Sequence, residues 1–325
     1  MGIQTIDPAT LPLREQLFVA GAFCSVSTNS HVLIESLAHW KCSPPDAPAR
    51  SFELAVRVHS SGSGWRAAVP HFRGMHHLVF ATFGERDLFV FDLLRRTAAG
   101  VVCQKTAEDA CFWKHLLIPV AIGVIGTTMG LIPLHAACLD WRGAGLMIFG
   151  ESEAGKSTLA VELSRRGFSL VSDEWTYIAE ANSRTTAYGI TAPVKLLADA
   201  PRLFPELSRC KPSKSLNGEI AFEVDAAQVF GSATRSQSSP HWLIFLKRSE
   251  RPGCELLPYG RDETRNFFEQ SAERLPAQFA EIAAQRSQTI ARLVQQDCRV
   301  LLYGGPPQVA ADALEKFCKG ADLCH

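Results

Sequence analysis

Residues 145–167 read GLMIFGESEAGKSTLAVELSRRG. The five residues Gly145-Leu-Met-Ile-Phe149 form a short apolar run, which predicts a buried strand. Gly150 to Ser157 then fits G-x-x-x-x-G-K-[ST], the loop whose backbone N–H groups cradle nucleotide phosphates. From Ser157 to Arg166, Leu159, Ala160 and Leu163 share one helical face, and Gly167 suits the C-cap. Strand, glycine-rich loop and helix in this order predict a nucleotide phosphate site in an α/β domain. Gly150, Glu151, Ser152, Glu153, Ala154, Gly155, Lys156, Ser157 and Thr158 are its candidate nucleotide-binding residues. Lys156 would neutralise the β- and γ-phosphates of ATP, and the Ser157 hydroxyl would ligate Mg²⁺.

Two of the four variable loop positions are glutamates, in a loop built to hold anions. They do not forbid the site, because the backbone does the cradling and carboxylates can face solvent. Glu153 stands where the tight turn usually takes glycine. It reads either as an ordinary solvated residue or as a carboxylate that positions a cation or the acceptor.

The chain has 325 residues, 46% of them hydrophobic, enough for one large or two modest domains. Lys+Arg and Asp+Glu balance at 33 each, which argues against a polyanion partner such as nucleic acid. Ten cysteines form no C-x-x-C pair, and no Cys/His group has zinc-finger spacing. Scattered cysteines and the absence of a basic-then-apolar leader in MGIQTIDPATLPLREQ fit a cytoplasmic chain. Leu116 to Leu134 is uncharged over nineteen residues, long enough to span a bilayer. Its two prolines, its glycines and its run into the loop strand instead predict a buried helix over about 107–129, capped by Gly130 and packed inside the α/β domain. The sequence leaves homo-oligomerisation open.

Upstream, SFELAVRVHS alternates apolar and polar residues, and WRAAVP, HHLVFATFG and DLFVFDLL read as further short strands. A small, mostly β N-terminal domain over residues 1–105 is expected, followed by the phosphate-loop domain over 106–325. KCSPPDAPAR and SSGSG read as a loop and a turn. His76-His77 is a weak metal candidate, since adjacent lone histidines seldom ligate. Downstream, WTYIAE and TTAYGI predict a hairpin. SSPHWLIFLKR and GCELLPYG predict strands joined by a turn, and DETRNFFEQ…RLVQQ predicts helix broken near Pro276.

Asp173-Glu174 follow the strand after the phosphate helix, where phosphate-loop enzymes place carboxylates for Mg²⁺ or for the attacking hydroxyl. His135 opens LHAACLDW, just upstream of the loop strand; a lone histidine among apolar residues reads more readily as a core residue. Lys195 and Arg202, in APVKLLADAPRLFPEL, are further cations for phosphate or acceptor.

LHAACLDWRGAGLMIFGESEAGKSTLAVELSRRGFSLVSDEW resembles the core of the HPr kinase/phosphorylase family and its looser relatives, the HPr-kinase-related kinases. These share a core similar to phosphoenolpyruvate carboxykinase. The resemblance spans about 134–178 and implies three roles. Asp173 would deprotonate the acceptor hydroxyl, Glu174 would stand on the Mg²⁺ side, and His135 would be an active-site histidine. Two departures stand out. Glu153 replaces the usual glycine, and no R-P-G run leads into an apolar helix, Arg251-Pro252-Gly253 lying in a polar turn. Phosphorylation of HPr, phosphorolysis and a hexamer are therefore not carried over.

The reading that results is an ATP- and Mg²⁺-dependent kinase acting on a hydroxyl acceptor, a serine of a peptide or protein or a small alcohol. The rival is a nucleotide-binding regulatory or interaction protein with little turnover. Carboxykinase chemistry lacks a second-metal His/Lys set, and neither L-S-G-G-Q nor N-K-x-D occurs to support a transport ATPase or GTPase.

Overall fold

The computed structural model describes residues 6–43, 50–59, 66–84, 87–181, 184–190, 193–214, 219–271 and 275–321. The expected loop at KCSPPDAPAR and the turn at SSGSG fall largely or wholly outside them. The chain is mixed α/β and divides into two compact units, the first chiefly Met1–Leu131 and Leu275–Ile282, the second Ile132–Ser215, Glu219–Arg274 and Ala283–His325.

The first unit holds a seven-stranded sheet of β1 (Leu13–Val19), β2 (Ala22–Thr28), β3 (Ser51–His59), β4 (Arg66–Met75), β5 (Leu78–Gly84), β6 (Leu88–Asp92) and β7 (Thr97–Cys103), ordered β1-β2-β3-β7-β6-β5-β4. β2, β3 and β7 run parallel, and β4 to β7 form an antiparallel meander. Its aromatic core joins Phe83 and Phe89 of the sheet to Phe112 and Trp113, in T-shaped contacts of 5.3 and 6.3 Å.

Phe112 and Trp113 belong to the long apolar helix, whose 20-residue segment Ala110–Met129 reaches a mean hydropathy of 1.5 over 18 residues. By length and composition it could cross a membrane, and half of it is buried. Gly130 ends it at φ 78°, the left-handed cap expected for a glycine. The helix was expected inside the phosphate-loop domain. It packs instead with the N-terminal sheet, and the division between units falls after Leu131 rather than near 105. The rings of Phe83 and Phe89 supply apolar surface that the helix packs on; the composition of the helix alone could not say which sheet would do so.

The second unit is built on β8 (Ile132–His135), β9 (Ala137–Trp141), β10 (Ala144–Phe149), β11 (Ser169–Ser172), β12 (Trp175–Ala181), β13 (Arg184–Gly189), β14 (Val194–Leu197), β15 (Ser213–Lys214), β16 (Ile220–Val224), β17 (Gln237–Arg248), β18 (Gly253–Pro258) and β19 (Asp297–Gly304). The main sheet runs β11-β9-β10-β17-β13-β12-β8, with β19 beside β17 and β18 beyond it; β14, β16 and β15 form a small sheet of their own. β12 and β13 pair as the expected antiparallel hairpin. β17 and β18 do not pair with each other, because β19 lies between them.

β10 is buried on both faces, which is why its sequence is a continuous apolar run rather than an alternating one. Leu146 and Ile148 point to one side, joining Leu159 and Leu163 of the helix Lys156–Ser164 and Leu314 of the helix Pro307–Ala321. Met147 and Phe149 point to the other, joining Phe268 of the helix Arg261–Ser271 and Ile290 and Leu293 of the helix Ala280–Leu293. The strand is thus the middle of a helix–sheet–helix sandwich. β10, β17 and β19 run parallel, so their carboxyl ends open on one edge of the sheet. β11 is antiparallel to β9 and β9 to β10, which brings the end of β11 to that edge as well. In open α/β sheets this is the edge where ligands bind.

Candidate functional site

The loop 150–155 leaves the end of β10 and turns into the helix Lys156–Ser164, as the sequence predicts. Gly155 is the N-cap at φ 99°, a left-handed conformation that favours glycine. Space enforces the same choice, since a side-chain carbon there would lie 2.6 Å from the Tyr303 hydroxyl. Tyr303 itself donates a hydrogen bond of 2.9 Å to the carbonyl of Ala154. The corner of the loop is therefore pinned from β19, far away in sequence.

Glu153 also has positive φ, 61°, without being glycine. Its side chain is exposed, as are Glu151 and Ser152. The oddity read in the sequence is thus a backbone one: the turn does need the left-handed region, and a β-carbon occupies it at a cost of about 1 kcal/mol. Lys156 is buried, and its ammonium donates to the carbonyls of Gly150 and Glu151 at 2.9 Å each. Burial lowers its pKa, while the charges of Asp173 and Glu174 pull it back up.

Asp173 sits just past β11 and is 7% exposed. Its Oδ2 accepts the backbone N–H of Lys195, on β14, at 3.1 Å. Its Oδ1 is buried with no hydrogen-bond partner. The Ser157 hydroxyl is near enough to favour the ionised carboxylate, yet no bond of ordinary geometry joins it to Oδ1. Burial raises the Asp173 pKa from 3.8 to about 6, against the opposing pull of Lys195 N–H, Ser157 and Lys156. A buried carboxylate with one oxygen unsatisfied and a pKa near neutrality can take a proton from a hydroxyl placed beside it.

His135 ends β8 and pairs in register with Trp175, the first residue of β12. The two rings lie 5.5 Å apart, and both residues are exposed. Partial desolvation of the ring lowers the His135 pKa, the Lys156 charge lowers it further, and Glu174 opposes. The histidine is therefore not the core residue that its apolar neighbours suggested. It shares one electrostatic neighbourhood with Lys156 and Glu174. Glu174 is exposed and acts on Lys156, Asp173 and His135. Among the described residues no three His, Cys, Asp or Glu side chains gather to hold a metal by themselves, His76-His77 included.

The structure brings Lys156, Ser157, Asp173, Glu174 and His135 together and leaves the two further cations aside. The Lys195 ammonium pairs with Glu219 at 2.5 Å, so this residue enters the site through its backbone rather than its charge. Arg202 ends a short 3-10 turn, exposed, with no hydrogen bond or ion pair to the loop or to Asp173. Tyr303 and Trp175 were not read as site neighbours. The exposed indole two residues beyond Asp173 carried a weak signal, and Tyr303 carried none.

Residues 130–195 match the family model described as the HPr Serine kinase C-terminal domain, which encloses the stretch whose resemblance is quoted above. The HPr kinase/phosphorylase of Bacillus licheniformis is 29% identical over 109 residues, 34% of this chain and 32% of that protein. That of Pediococcus pentosaceus is 26% identical over 138 residues, 42% of this chain and 38% of that protein. That of Azoarcus sp. strain BH72 is 36% identical over 91 residues, 28% and 26% of the two chains. The chain thus spans about a third of the length of the curated relatives it matches. The Hpr(Ser) kinase/phosphatase structure from Coxiella burnetii aligns with 59% of this chain and 96% of its own, at 16% identity and a TM-score of 0.33. The resemblance to the HPr kinase/phosphorylase family is a finding over the phosphate-loop segment.

Proposed function

We propose that this chain is an ATP-dependent kinase with a phosphate-loop core of the HPr kinase type, transferring the γ-phosphoryl group to a hydroxyl acceptor. The acceptor is a serine of a peptide or protein, or a small alcohol, reached from cytoplasm. The observation that carries this reading is Asp173. It is buried beside Lys156 and Ser157, one oxygen is held by Lys195 N–H, and the other has no partner. A buried carboxylate with one free oxygen and a raised pKa suits proton transfer from an acceptor.

In this reading the loop N–H groups and Lys156 bind the phosphates, which draw the lysine off the carbonyls of Gly150 and Glu151. Asp173 Oδ1 accepts the acceptor hydroxyl's proton as its oxygen attacks the γ-phosphorus, and ADP leaves. His135 and Glu174 set the charge around the lysine. The oxygen donors Ser157 and Glu174 fit Mg²⁺, which is held by one or two carboxylates together with substrate phosphates. Bound there, the ion would neutralise charge on the phosphates.

The test is phosphoryl transfer from γ-labelled ATP to fractionated host peptides and metabolites. Label should move with the native protein and be lost with Asp173→Ala while ATP still binds. Binding without transfer in both proteins would instead support the regulatory reading.

A further inference from the structure

Three observations place a second cation at the phosphate loop. Arg248 is the last residue of β17, the parallel neighbour of β10, so it stands on the edge where the loop opens. Its guanidinium lies 4.3 Å from the ring centre of Tyr303, and Tyr303 in turn holds the Ala154 carbonyl. A side-chain carbon at Gly155 would lie 3.4 Å from Arg248 Nη2, which puts the guanidinium against the residue that caps the phosphate helix. Arg248 is exposed, its hydrogen bond to the Gly305 carbonyl is long at 3.5 Å, and no carboxylate among the described residues pairs with it. A stacked guanidinium is fixed in plane yet keeps its edge donors free, the arrangement that suits phosphate oxygens.

We propose that Arg248 is a binding residue for the nucleotide's phosphate chain, oriented by stacking on Tyr303. The inference rests on the reading of 150–158 as a nucleotide site and adds a contact from a different strand. Tyr303 is a positioning residue with two separable roles: its ring carries Arg248 and its hydroxyl pins the loop.

Affinities for ATP, ADP, AMP and adenosine, measured by calorimetry with Mg²⁺ and no acceptor, test it in the full chain. Arg248→Ala should weaken ATP and ADP by about tenfold or more and leave adenosine unchanged. Arg248→Lys should restore part of the loss, since it keeps the charge but not the fork. Tyr303→Phe keeps the ring and should cost less than Arg248→Ala. Melting temperatures should stay near native for the Arg248 variants, because the residue is exposed. Unchanged ATP affinity in a folded Arg248→Ala protein would overturn the proposal, as would an equal loss for adenosine, which would put Arg248 on the base. If the native protein binds ATP no better than Lys156→Ala, the nucleotide site itself falls and this contact with it.

Discussion

The Lys195 backbone N–H holds Asp173 Oδ2 at 3.1 Å, while Oδ1 of the same carboxylate is buried without a partner. A main-chain donor from β14 fixes the plane of the group without neutralising it as a lysine ammonium would. One oxygen is left unsatisfied, and Ser157 and Lys156 both act on the group to favour its ionised form. Burial and a weak set of partners together explain why its pKa rises rather than falls.

The pH profile follows. Asp173 titrates near 6 and must be ionised to accept a proton, so kcat/KM should climb as pH rises through about 6 and level off above. Steady-state rates across pH measure it. A flat profile would take the proton-accepting role away from Asp173. Replacing Asp173 by Asn should lower kcat by about 10²–10⁴-fold with KM for ATP little changed.

Stability should move the opposite way. The folded pKa lies above the unfolded one, so between 3.8 and about 6 the folded state holds more protons and stability falls as pH rises, staying lower beyond. Asp173→Asn removes that cost. The variant should melt above the native protein at about pH 8, with the difference shrinking as pH is lowered to about 4. Thermal melts at the two conditions decide it, and a gain of equal size at both would assign the effect to something other than ionisation.

What was legible in the sequence is what is local. The glycine-rich loop, its strand and its helix lie in consecutive residues, and Asp173-Glu174 follow within one further strand, so pattern and spacing suffice to place these elements. The Tyr303 hydroxyl reaches the Ala154 carbonyl across 149 positions, and Arg248 arrives through the parallel pairing of β10, β17 and β19. No period or motif encodes that register. The apolar helix ending at Gly130 was legible as a helix, but its partner sheet was not, because hydrophobicity is non-directional. Lys195 shows the limit in another way: the side chain drew attention, and the backbone makes the contact to Asp173.

Glu153 decides between its two readings by substitution. Glu153→Gly relieves a non-glycine residue at φ 61°, which should stabilise the fold by up to about 1 kcal/mol after the entropy of glycine is set against it. It also removes a carboxylate from the proposed anion site, so ATP affinity should rise several-fold at low salt, by about 1 kcal/mol at most. Calorimetry and phosphoryl transfer on the same variant test both. Tighter ATP binding with intact transfer marks a solvated residue. Transfer that collapses while ATP binds would show that the carboxylate positions a cation or the acceptor.

Gly155 admits no such exchange. Alanine there combines a left-handed backbone at φ 99° with a carbon 2.6 Å from the Tyr303 hydroxyl, and Tyr303 is 1% exposed with its hydroxyl committed to Ala154. The ring cannot retreat without breaking that bond, so the loop corner must move instead. Gly155→Ala should cost about 1–3 kcal/mol in chemical denaturation and weaken ATP by far more than its effect on the fold. Combining it with Tyr303→Phe separates the two terms. Removing the hydroxyl clears the clash and leaves the backbone strain, so the double variant should regain part of the stability. If it regains none, the whole cost lies in the backbone.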